Sequence, residues 1–207
     1  MNPAPHTVAA LFPHACVLVD YDTGTTKLRT VPKQPTDLAA TVVRLDEAAA
    51  SWGTVEVPAV LPAYRRVPLQ WRLGAVLAVL VTAAVRVGGR WRFRRLVRLA
   101  CCGRSLRPVT GHQARYAVRA VRWASWPMPT RWACLEESTA AAVLLAAAGR
   151  RAEWRHGVAI DPVRLHAWLV DQHGAPVEER PDTALYGATY TPDGPGPARE
   201  GQGETTP

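Results

Sequence analysis

The run LEESTAAAVLLAAAG, from Leu135 to Gly149, has almost no choice but to be a helix. Ala and Leu are among the strongest helix formers, Glu136 and Glu137 stand in the first turn where the helix dipole favours acids, and Gly149 is a natural terminator. Two short apolar runs follow. RHGVAI, from Arg155 to Ile160, reads as a strand, and Asp161-Pro162 as a turn. LHAWLV, from Leu165 to Val170, alternates and reads as a second strand; after a turn over 171–174, Ala175-Pro176-Val177 begins a short third one. A helix followed by an antiparallel pair packed on it predicts an α+β fold.

This arrangement carries chemistry. Cys134 stands at the head of the helix, where partial positive charge favours an anionic side chain. His166 follows thirty-two residues later on the second predicted strand, with Glu178 and Glu179 beyond it. A nucleophile, a base and an orienting acid are the side chains a thiol hydrolase needs. Taken singly, each has a plainer reading: a small buried cysteine, a half-buried strand histidine, a solvated acidic loop. The ordered set is what singles them out. His156 and His173 lack the His-Ala-Trp setting and read as surface residues.

The elements Cys-Leu-Glu, Gly-Val, Asp-Pro and His-Ala-Trp, in CLEES…LLAAAGRRAEWRHGVAIDP…HAWLV…GAPVEE, resemble the lasso peptide biosynthesis B proteins of the microcin-processing type. These are transglutaminase-like cysteine proteases that remove the leader from a ribosomally made precursor peptide. The resemblance covers roughly residues 65 to 185 and takes in RRLVRLACCG and RYAVRAVRWASWPMPTRWACLE upstream. It implies a transglutaminase/papain-like cysteine protease domain with a helical lead-in. It implies Cys134 as nucleophile and His166 as general base. Alignment on the Val-x-acid-x-Pro-Asp pattern favours Glu179 as the acid, with Glu178 the alternative; Asp171, too close behind His166 on the same strand, ranks third. It further implies a separate ATP-dependent cyclase that receives the freed core. The chain itself has no GxxxxGK(S/T) phosphate loop, and nothing in it points to a metal or cofactor. Two other functions remain open at this stage: a transglutaminase-like acyltransferase using the same three residues, and a precursor-binding scaffold without catalysis.

The remainder divides into a small N-terminal segment (1–57), a linker (58–68), the protease domain (69–190) and a disordered Gly/Pro/Glu-rich tail (191–207). Within the first, Ala15 to Thr30 has alternating apolar residues on both sides of Asp22-Thr23-Gly24, a hairpin signature. The segment from Pro35 to Gly53 reads as a helix. A hairpin followed by a helix is similar to the precursor-recognition element of many of these B proteins, which holds the leader as an added strand; the alternative is a β-hairpin packed on the protease domain, with recognition left to a separate element. No signal peptide is expected at Met1 to Thr7, and the spacing of Cys16, Cys101, Cys102 and Cys134 suits neither disulfides nor zinc, which predicts reduced thiols in a cytoplasm.

Leu69 to Val87 is the most apolar stretch, but its uninterrupted part between Arg72 and Arg86 is too short to span a bilayer and predicts a buried core helix. Basicity is the chief anomaly of composition. Between Glu56 and Glu136 there are fifteen arginines and no acid, and the whole chain has a net charge of +8. Arginine outnumbers lysine 23 to two, which points to compositional bias more than to a dedicated site. No nucleic-acid motif accompanies it, a membrane contact is not expected, and contact with the cyclase or leader is the specific alternative. His112 to Trp126 reads as a helix with Arg115, Arg119 and Arg122 outside, and Trp123, Trp126 and Trp132 are assigned to the core or the cleft wall.

Overall fold

The computed structural model describes residues 6–32, 40–45, 67–87, 89–128, 132–160 and 162–196. The predicted helix at the cysteine is α4 (Cys134–Ala147), and it is the centre of the molecule. It packs against α1 (Leu69–Arg86), α2 (Arg92–Ala100) and α3 (Gly111–Ser125). Residues buried along it, among them Ser138, Thr139, Ala140, Ala141, Leu144 and Leu145, point in every direction. An alanine-rich surface is what allows three helices to close on one. The helix stops where Gly149 turns to φ +71°, a backbone conformation costly for other residues. The start of α3 is fixed by a capping box between Thr110 and Gln113.

One more face of α4 meets an antiparallel sheet. Its strands are β7 (Glu153–Ala159), β8 (Arg164–Val170), β9 (Gly187–Thr191) and β10 (Gly194–Pro195), in the order β10-β9-β7-β8. The indole of Trp154 donates to the Ser138 hydroxyl at 2.9 Å, tying β7 to α4. The two predicted strands are therefore present. The third is not: the segment after Asp171 makes only an isolated bridge, Val170 to Pro176, and the place beside β7 is taken by β9. Order also continues past 191, through β10, where a disordered tail is expected; residues 197–207 lie outside the described residues. A short parallel pairing joins β5 (Arg107–Pro108) to β6 (Arg150–Arg151).

The N-terminal residues form a second four-stranded sheet from β1 (Thr7–Leu11), β2 (Cys16–Asp20), β3 (Thr26–Arg29) and β4 (Thr41–Arg44), in the order β3-β2-β1-β4. The expected hairpin is β2–β3. Its turn is held by Asp20, whose carboxylate accepts from the Asp22 amide at 2.8 Å and the Thr23 hydroxyl at 2.7 Å. The helix expected over 35–53 is contradicted at Thr41–Arg44, which pairs in parallel with β1. TVVR is rich in β-branched residues and pairs with partners 33 residues earlier, so tertiary contact overrides the helix formers around it. The rest of that predicted helix, and the linker up to Arg66, lie outside the described residues.

The inner face of this sheet, including Val8, Val17, Val19, Tyr21 and Val43, belongs to the same hydrophobic core as the helices. Tyr21 is the rivet. Its hydroxyl bonds His156 Nδ1 at 2.7 Å and the Thr189 hydroxyl at 2.8 Å. Tyr21→Phe leaves the buried Nδ1 of His156 without that partner, while Thr189 keeps its bond to the His156 carbonyl, at an expected cost of about 1–3 kcal/mol. Urea unfolding checks it; an unchanged midpoint would show that the rivet carries no load.

Two expectations about helices are corrected. α1 is not a buried core helix. Ala75, Ala78, Val79 and Thr82 are buried, but Leu69, Leu73, Leu77 and Leu80 on the other side are exposed. Its inner side is small, so α3 and α4 pack on that side alone. By length and composition it is the one helix among the described residues that could cross a membrane. Nor is the basic face of α3 wholly outside: Arg119 and Arg122 are half-buried, while Trp123 and Trp126 are exposed and Trp132 is partly covered by the core.

Candidate active site

Cys134 is the first residue of α4, and no side chain caps the helix there. The first-turn N–H groups have no partner within any helix. They are left for an oxygen placed beside the thiol. β8 lies against α4 and carries His166, directly across from Gly157 on β7. His166 Nε2 donates to Glu179 Oε2 at 2.9 Å. The Cys134 thiol is the imidazole's other polar neighbour, near enough to favour its charged form. With Nε2 committed to Glu179, Nδ1 is the nitrogen left for sulfur. The ring stacks on Trp168, with centroids 5.7 Å apart and planes 9° from parallel, and its other neighbour is Tyr186 at 5.2 Å. These rings fix its plane.

Burial by itself would make the imidazolium harder to form. The hydrogen bonds and charges of Cys134 and Glu179 outweigh it, and the pKa of His166 is raised to about 9. The imidazole thus stays protonated through neutral pH and can hold a thiolate beside it. Among the other thiols, burial pushes Cys101 up to about 12 and raises Cys16 and Cys102. Any activity that needs the imidazolium is expected to fall as pH rises through about 9, because the raised group loses its proton there. An NMR titration of the His166 ring checks the cause; a midpoint left at the ordinary histidine value near 6.5 would contradict it.

The acids sort themselves by geometry. Glu179 meets His166. Glu178 turns the other way and pairs with Arg119 at 2.7 Å. Asp171 is spent on its own turn, accepting from the amides of His173 at 2.9 Å and Ala175 at 3.0 Å. Glu179 sits in the loop after β8 and not on a neighbouring strand as expected, because no strand forms there. His173 is exposed, as the sequence suggested, and bonds Gln172. His156 is a correction. It is buried, and burial, with the charge of His166, pushes its pKa down to about 3. It is a neutral strut under Tyr21 and not a surface residue.

A cavity of about 170 Å³ opens at the site, lined by Cys134, His166 and Glu179, with Val118, Ala167 and Leu169 as its apolar part and Arg122 and Glu137 as its charged part. Arg122 and Glu137 were not legible as site residues. The available signal was the i, i+3 pair of arginines on α3 set against the adjacent acids Glu178 and Glu179, but nothing in the sequence says that these segments meet.

A thiol at a helix start, beside an imidazole that is hydrogen-bonded to a carboxylate, on an α+β papain-like scaffold, supplies the parts used by cysteine proteases and by acyltransferases that pass through a thioester. The chain belongs to the transglutaminase-like superfamily, whose family model matches residues 75–191 and so takes in all three residues. No curated protein and no solved structure gives a significant match.

Proposed function

We propose that this protein is a cysteine endopeptidase that removes the leader from a ribosomally synthesised precursor peptide in lasso peptide maturation. The observation that carries the reading is the cavity at the head of α4 that brings Cys134 together with the hydrogen-bonded pair His166 and Glu179. The Cys134 thiolate attacks the carbonyl carbon at the leader–core junction. The oxyanion that forms is stabilised by helix-start N–H groups, the Cys134 amide among them. The C–N bond breaks as protonated His166 gives its proton to the leaving amine. Water, deprotonated by His166, then cleaves the thioester and frees the leader's carboxylate. Glu179 orients the imidazole throughout.

The leader adds as a strand to β3, the edge of the N-terminal sheet, whose Lys27, Leu28 and Arg29 are exposed. The freed core passes to a separate ATP-dependent cyclase in the cytoplasm. Incubation with the precursor peptide encoded beside the gene, read by mass spectrometry, tests the reading. Cleavage at a single site supports it. A product that forms only when an amine is supplied, and carries that amine, would instead establish an acyltransferase. Binding without cutting, even with the cyclase present, would leave a scaffold.

A further inference from the structure

Glu178 is the one non-glycine residue among the described residues with positive φ, at +57°. That region is disfavoured for a side chain such as glutamate, and a residue persists there only where its surroundings over-determine it. The surroundings are on α3. Arg119 holds the Glu178 carboxylate at 2.7 Å, and Arg122 NH1 donates to the Glu178 carbonyl at 2.9 Å. The same guanidinium reaches two carboxylates. Its Nε bonds Glu137, one turn along α4 from Cys134, and its NH2 lies 3.7 Å from the Glu179 oxygen that His166 does not use. A closed ring results: Cys134 to His166, to Glu179, to Arg122, to Glu137, and back along one turn of α4.

We propose that Arg122 is a positioning residue: it locks the left-handed turn at Glu178 and the outer oxygen of Glu179, so that the carboxylate is held against His166 and tied to the helix that bears Cys134. The proposal rests on the reading of Cys134, His166 and Glu179 as the reacting set. The left-handed turn sends two successive carboxylates in different directions, one to Arg119 and one to His166. Lysine cannot reproduce it fully, since one ammonium lacks the fork that serves Glu137, the Glu178 carbonyl and Glu179 together.

The groups that act on the His166–Glu179 pair are Cys134 and Glu137 from α4, Arg119 and Arg122 from α3, His156 from β7, Glu178 before Glu179, and Tyr186 beside the ring. Arg122 as a mere cation and Arg122 as a positioning group have different effects. A bare positive charge disfavours the imidazolium but favours the thiolate, so its removal changes the net-neutral pair little. A positioning group supports that pair, so its removal weakens it.

The rate of Cys134 alkylation by iodoacetamide, followed against pH on the full chain by peptide mass spectrometry, separates the two without any substrate. Cys101 and Cys102 serve as internal references. In Arg122→Gln the profile is expected to move to higher pH, with the rate near pH 6 lower by about tenfold, the change one unit of thiol pKa makes. Arg122→Lys is expected to lie between Arg122→Gln and the wild type. A profile that stays in place while the melting temperature falls would make Arg122 a structural residue only and overturn the proposal. A shift to lower pH would overturn it too. Glu179→Gln run alongside keeps the premises apart. If it shifts the profile and Arg122→Gln does not, only the positioning role fails; if Glu179→Gln leaves the profile unmoved, the assignment of Glu179 fails and takes this proposal with it.

Discussion

Cys134→Ala is expected to abolish cleavage of the precursor peptide, a loss on the order of 10⁴-fold or more. Removing the sulfur removes the covalent route, and nothing else in the cavity can replace it: Cys134 is the only thiol among the lining residues. His166→Ala should cost nearly as much, since it takes away both the partner of the thiolate and the donor to the leaving amine. Glu179→Gln should be about a hundredfold milder, because the amide still fills the place of the carboxylate and the other two groups stay paired. Glu178→Gln tests the alternative acid and should matter little to chemistry, since its carboxylate is turned to Arg119. The measurement is single-site cleavage by mass spectrometry, with each variant's melting temperature beside it. Cutting that survives Cys134→Ala would end the assignment of the nucleophile.

The second large effect is expected at a residue with no side chain. A Cβ on Gly157 would lie 2.5 Å from the Gly187 carbonyl oxygen on β9 and 2.8 Å from the ring of Trp168. The first of these neighbours is backbone and cannot swing aside. Gly157→Ala is therefore expected to cost about 3 kcal/mol, the upper end for overpacking, and to lower Tm by roughly 6–12 °C in a chain of this size. Calorimetry decides it; a drop of less than about 2 °C would mean that β9 yields easily. The same clash reaches the site. Trp168 is the ring on which His166 stacks, and Gly157 is the residue across from His166 in the β7–β8 pairing. Residual folded protein should therefore also show a lower rate of Cys134 alkylation.

What could be read from sequence followed the local signals. The helix α4 declares itself by composition, and β7 and β8 by alternation between turn residues. Cys134, His166 and the acidic pair Glu178-Glu179 stand out by their order along the chain, and the choice of Glu179 rests on the family resemblance. What could not be read depends on which segments meet. Thr41–Arg44 stands among helix formers, and only its parallel pairing with β1 makes it a strand. GATYT, the sequence of β9, has no period strong enough to place it beside β7. The outer face of α1 is as apolar as its inner face, so hydropathy alone reads the helix as wholly buried. Arg122 looks like one more arginine in an arginine-rich stretch. Its part in the site needs a loop 56 residues later to turn left-handed beside it.

The rivet at Tyr21 changes how the N-terminal sheet can be studied. Truncation is the obvious way to ask whether that sheet recruits the leader. Cutting the chain ahead of α1 would also strip Tyr21 from His156 and Thr189 and uncover apolar surface on the sheet that bears His166. Such a fragment would lose activity whether or not it had ever bound a peptide. Recruitment is better probed by substitutions at the outward side chains of β3, Lys27, Leu28 and Arg29, which leave that seam intact.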